Sequence, residues 1–111
     1  MKKLYVSCPI EGRAYKDISN TVEKMHKIAE AIFGEELEVV SNPRIKEVYG
    51  TDLYDLSRRI LQMAEADYFI SISAVYNEIT CLENTIAALF DINRTMVDPM
   101  YVMEDSGDRN D

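Results

Sequence analysis

The chain has no tryptophan, one histidine, two cysteines, four glycines and three prolines among its 111 residues. A single histidine, His26, set in a helical pattern, gives no basis for His-based acid–base chemistry. Cys8 and Cys81 fit neither zinc-ligand spacing nor a disulfide framework, and nothing else in the sequence implies a metal or redox cofactor. No repeat or low-complexity segment divides the chain, and its length suits one domain with one modest core. No run approaches the ~20 apolar residues of a membrane span. The first residues show no secretory h-region, which makes the cytosol, with reduced thiols, the expected compartment. Basic residues are outnumbered 12 to 20, for a net charge of −8, so neither nucleic acid nor an anionic membrane is an expected partner. A few well-placed donors can still bind a small anion.

Hydrophobic residues make up 47% of the chain, which predicts a folded domain. "KLYVSCPI" reads as a strand stopped by Pro9 and Gly12. Ile18, Val22, Met25, Ile28 and Ile32 predict a helix over 15–33, with Gly34 as its stop. "ELEVV" is a short strand, and Leu53, Leu56, Ile60 and Met63 mark a helix over 52–65. "DYFISIS" is a third strand, a helix follows over 77–91, and "MYVM" is the expected last strand. The alternation predicts an α/β fold, a small flavodoxin-like or Rossmann-like three-layer sandwich. Its sheet should be mostly parallel, with four to five strands and right-handed crossovers. Residues 1–103 form the expected single domain, and the acidic tail 104–111 is expected to fray.

Such folds bind ligands outside the carboxyl ends of their strands. "SCPIEGR", "YGTDLYD" and "SAVYNEITCLE" are the segments expected there. In the last, Ile79, Leu82, Ile86, Leu89 and Phe90 define an apolar helical stripe, and at ~100° per residue Glu83 falls at its margin. A carboxylate on that margin, near the head of a helix, is a site candidate. Its ordinary explanation is complementarity to the positive end of the helix dipole.

"LYVSCPIEGR", followed much later by "EADYFISISAVYNEITCLENTIAALF", resembles the nucleoside 2-deoxyribosyltransferase-like superfamily. That group includes enzymes that exchange the base of deoxynucleosides and hydrolases that release it from deoxynucleoside monophosphates. The shared pattern is Tyr5 before a Ser7–Pro9–Gly12 turn, then Ala66-Asp67, an apolar strand, Glu83 sixteen residues after Asp67, and Ala87. The resemblance implies cleavage or transfer of the N-glycosidic bond of a 2′-deoxynucleoside or its 5′-monophosphate. Glu83 would be the nucleophile at the sugar, and Tyr5 would hydrogen-bond it and fix its rotamer. Ser7, Pro9, Gly12, Arg13 and Asn77 would bind substrate, with Arg13 and Asn77 suited to a phosphate or 5′-hydroxyl. Water as acceptor gives hydrolysis and a second base gives exchange.

Each match has a plainer reading. Tyr5 can be a packed aromatic, Gly12 and Arg13 a turn and a surface charge, and Asp67 a structural acceptor of backbone N–H groups. The family often has an aspartate eight residues before the Ala-Asp aspartate, where this chain carries Arg59. Asp55, one turn earlier, suits the acid that protonates the leaving base, and Asp52 suits the helix cap. Arg59 also leaves open a non-catalytic protein that binds or senses a nucleotide on the same fold. The resemblance implies a homodimer or larger assembly, for which Tyr54, Leu61 and Met63 offer an apolar face.

Overall fold

The computed structural model describes residues 1–10, 12–41, 52–73 and 78–103, with the side chains of 52–55 and 78–79 outside that description. The elements run β1 (Lys2–Ser7), α1 (Tyr15–Phe33), β2 (Leu37–Val39), α2 (Asp52–Glu65), β3 (Tyr68–Ile72), α3 (Glu78–Leu89) and β4 (Asn93–Val97). A 3-10 turn at Pro99–Tyr101 follows. The four strands pair in parallel in the order β2-β1-β3-β4. The fold is therefore the α/β sandwich expected, with an all-parallel sheet. The expected apolar face at Tyr54 and the tail 104–111 lie outside the described residues.

Strand geometry sends alternate side chains to opposite faces, and both faces here are covered. Leu4, Val6, Ile70 and Ile72 point to one side, where Ile18, Met25 and Ala29 of α1 complete a core. Tyr5 and Phe69 point to the other, against Met63 of α2 and Ala87 of α3. Their rings lie parallel, with centroids 5.7 Å apart, across the β1–β3 register Tyr5↔Phe69. The helix α1 ends at Gly34, whose φ of 76° is the left-handed conformation a glycine adopts without strain; its N–H bonds Glu30 O at 2.9 Å.

Three expectations are corrected. The last strand is Asn93–Val97, before "MYVM". Asp98 caps a 3-10 turn instead, accepting from Met100 N at 2.9 Å, and Pro99 fits the first position of that turn. A polar edge strand facing solvent on one side carries no continuous apolar run, so "NRTMV" gave a weak strand signal. Met63 offers no outer face, because it is fully buried beneath the sheet, whereas Leu61 is 61% exposed. Finally, α3 leaves much of its apolar stripe uncovered, with only Ile86 of its described members packed against the core. Leu89 is 78% exposed and Leu82 and Phe90 are exposed too, while Thr80, Glu83 and Ala87 face inward. Ala87 packs into the cluster of Tyr5, Met63 and Phe69, and the inward carboxylate is held by partners described next.

Candidate active site between β1 and β3

The chain leaves β1 for β2 on one side and returns to β3 on the other, so strand order reverses between β1 and β3. In open parallel sheets, this reversal opens the crevice where ligands bind. The alternation of β1 places Tyr5 and Ser7 on the same face at this point, toward α2 and α3. Ser7 pairs in register with Ser71 of β3.

Glu83 closes over these residues from α3, and only 1% of it is exposed. The Tyr5 hydroxyl donates to its Oε2. The Ser7 hydroxyl donates to its Oε1 at 2.8 Å. Arg59, from α2, donates through Nη1 to Oε2 at 2.6 Å, forming an ion pair buried on both sides. Ser71 Oγ donates to Asn84 Oδ1 at 3.1 Å, and Asn84 Nδ2 donates to Thr80 O at 2.8 Å. One polar seam thus ties β1, β3, α2 and α3 together beside an otherwise apolar core.

The electrostatics follow from this packing. Burial pushes the Tyr5 phenol well above its ordinary value of 10.0, and the neighbouring Glu83 charge pushes it the same way, against a smaller opposing effect of Arg59. Tyr5 therefore remains a protonated donor across neutral pH. Arg59 is charged at any ordinary pH and supplies the counter-charge that a desolvated carboxylate needs.

The other expected site residues are placed as follows. Pro9 is buried just after β1, and its carbonyl accepts from Arg13 Nη1 at 2.6 Å. Arg13 Nη2 donates to Thr21 Oγ1 at 2.7 Å and Asp17 O at 3.3 Å, and Nη1 reaches Cys8 Sγ at 3.4 Å. These bonds fold the guanidinium back onto its own loop and α1. Arg13 N also bonds Ile10 O at 3.2 Å, closing a turn in which Gly12 has φ 73°. Asn77 and the side chains of Asp52 and Asp55 lie outside the described residues, although Asp52 and Asp55 belong to α2. Asp67 has the structural role anticipated: its Oδ2 accepts from Lys3 N at 2.8 Å.

Arg59, in sequence only a departure from the pattern of the resemblance, is in the fold the partner of Glu83. The signal was its place four residues before Met63, a basic residue on the apolar side of an amphipathic helix. Ser71 and Asn84 were also missed, since a serine in a strand and an asparagine in a helix carry no signal alone.

Among the described residues no group of three or more His, Cys, Asp or Glu is arranged to hold a metal ion. No helix among them is long and apolar enough to cross a membrane. An open depression on α2, lined by Arg58, Leu61, Gln62, Ala64 and Glu65, shares no residue with the Glu83 cluster. In comparisons with known proteins, the chain matches no family model, no curated protein and no solved structure.

Proposed function

We infer that the protein breaks or transfers the N-glycosidic bond of a 2′-deoxynucleoside, with Glu83 as the nucleophile. The observation that carries this reading is the buried Glu83 carboxylate held by Tyr5 and Ser7 where the strand order reverses between β1 and β3. It agrees with the family resemblance in the two residues, Tyr5 and Glu83, that the chemistry depends on.

Cleavage proceeds through an oxocarbenium-like transition state, reached more easily by deoxyribose, which lacks the electron-withdrawing 2′-hydroxyl. A carboxylate beneath the anomeric carbon stabilises that cation and then bonds to it, as in retaining glycosidases. Tyr5 holds the carboxylate in one rotamer, which reduces the entropy lost on reaching the reactive geometry. The leaving base requires a proton, and Asp55, one turn before Arg59 in α2, is the residue we assign to it, with Asp52 next. Water or a second base then takes the sugar.

We favour the unphosphorylated nucleoside over the 5′-monophosphate. Recruiting Arg13 to a phosphate would break its bonds to Pro9, Asp17 and Thr21. We also propose a homodimer or larger assembly in the cytosol, with the exposed Leu61, Leu82 and Leu89 within the contact.

The test is incubation with the deoxynucleosides and their monophosphates, followed by chromatography for free base, with Glu83→Ala in parallel. The expected result is base release by the wild type alone, faster from nucleosides. Equal, negligible release by both proteins would remove the enzyme reading. A second reading, a non-catalytic nucleotide binder, is favoured by the Arg59–Glu83 ion pair, since a carboxylate fully neutralised by arginine suits a structural role equally well. Thermal stabilisation by a deoxynucleotide without base release would select it.

A further inference from the structure

The two oxygens of Glu83 are treated differently. Oε2 accepts from both the Tyr5 hydroxyl and Arg59 Nη1, whereas among the bonds described Oε1 accepts only from Ser7 Oγ. A carboxylate oxygen has about two lone-pair positions for acceptance, so Oε2 is saturated and Oε1 is not. The donors on Oε2 come from two elements, β1 and α2, and both side chains of the ion pair are buried. The carboxylate therefore cannot rotate to exchange its oxygens without breaking a charge-assisted bond.

We propose that Arg59 is a positioning residue for Glu83: it commits Oε2 to the protein, leaves Oε1 to bond the sugar, and makes sugar capture the slow half of the reaction. This rests on the reading of Glu83 as a nucleophile. In the first half-reaction, Oε1 gives an electron pair to C1′ while the bond from C1′ to the base nitrogen breaks. That bond's pair leaves with the base, which takes a proton from the acid. In the second half, water adds to C1′, the bond from C1′ to Oε1 breaks with its pair returning to Glu83, and the water's proton returns to the acid.

Glu83 is a carboxylate before the first half and after the second, and a neutral ester between them. A fixed cation 2.6 Å from Oε2 stabilises the carboxylate and not the ester, and burial strengthens that preference. Arg59 therefore slows formation of the ester and speeds its loss. The ester stays scarce, which limits transfer of the sugar to stray acceptors.

The experiment is rapid quenching of wild type, Arg59→Lys and Arg59→Gln during turnover of a 2′-deoxynucleoside, read by free base and intact protein mass. Gln retains a donor without the charge, and Lys retains the charge without the fork. Wild type and Arg59→Lys are expected to release base linearly, without a heavier species. Arg59→Gln is expected to release about one equivalent in a burst, then turn over at least about tenfold more slowly than wild type. Its protein mass should rise by one deoxyribosyl group. A purely structural Arg59 would lower all rates without a burst, and that result overturns the proposal while leaving Glu83 as the nucleophile. A burst with adduct in Arg59→Lys overturns it too, and keeps the test open if Arg59→Gln does not fold. No base release by wild type from any deoxynucleoside overturns the proposed function, and this inference with it.

Discussion

Among the bonds described, Tyr5 and Tyr68 each donate to a glutamate, one at each end of the sheet. Tyr5 on β1 donates to Glu83 at the carboxyl edge, inside the protein. Tyr68 on β3 donates to Glu35 Oε2 at 2.7 Å at the opposite edge, in the open. Both phenols are pushed above their ordinary value, but for different reasons. For Tyr68 the bond to Glu35 is the main cause, with smaller contributions from burial and from the Glu35 and Asp67 charges. For Tyr5 burial comes first. Around Tyr68 lie a stacked, half-buried Phe33 ring at 4.2 Å and the exposed Lys2, 5.8 Å from the ring centroid. Around Tyr5 lie Phe69 and the buried Arg59–Glu83 pair. The same hydrogen bond is thus a surface decoration in one place and part of a desolvated cluster in the other. The two pairs differ in their environment rather than in their bond.

The two pairs are expected to differ most in activity. Glu83→Ala is expected to lower base release by about a thousandfold or more, because no other described group replaces a nucleophile at that position. Glu35→Ala is expected to leave base release unchanged in the same chromatographic assay. Next comes stability. Arg59→Met strands a buried carboxylate and should cost about 3–5 kcal/mol by urea denaturation. The double variant Arg59→Met/Glu83→Met should recover most of that loss, although the Tyr5 and Ser7 hydroxyls still lack their acceptor. A double variant no more stable than Arg59→Met alone would show that the pair is not a coupled unit.

Smaller effects sharpen the contrast. Tyr5→Phe leaves Oε2 short of a donor and should cost about 1–3 kcal/mol, whereas Tyr68→Phe should leave the urea midpoint in place. Alkaline titration gives the least perturbing comparison. Tyr5 has a raised value in the folded state and 10.0 as its ordinary value, so below pH 10.0 its proton is bound whether the chain is folded or not. Above that the unfolded chain releases the proton first, and the contribution of Tyr5 to stability is lost as pH rises toward the folded value. Phenolate absorbance should therefore show Tyr5 ionising only together with unfolding. Loss of its proton from the intact fold near pH 10.0 would place Tyr5 in solvent and dissolve the contrast with Tyr68.

The architecture was legible because it rests on repeating signals. Apolar spacing in α1 and α2, Gly34 as a stop, and the short apolar runs of β1 and β3 led to the element order found. Failures occurred where one signal had two explanations. The leucines of α3 suit a buried face as well as an unpartnered one, and only packing showed Thr80, Glu83 and Ala87 inside. "MYVM" resembled a strand until Pro99 and Asp98 made it a turn. In the site, Tyr5 and Glu83 were legible through family resemblance, and their contact was expected. The role of Arg59 was not, because an arginine is read as surface until its partner, 24 residues away, is seen to be buried beside it. Sequence distance hides such pairs, and only the fold brings them together.

The central claim is that Glu83 bonds to the sugar. Its most direct test is incubation with a 2′-fluoroarabinosyl nucleoside, whose fluorine slows both half-reactions, followed by peptide mapping by mass spectrometry. The expected result is one equivalent of base released and one fluorinated sugar attached to Glu83. Base release with the sugar on another residue, or with the protein unmodified, would contradict it.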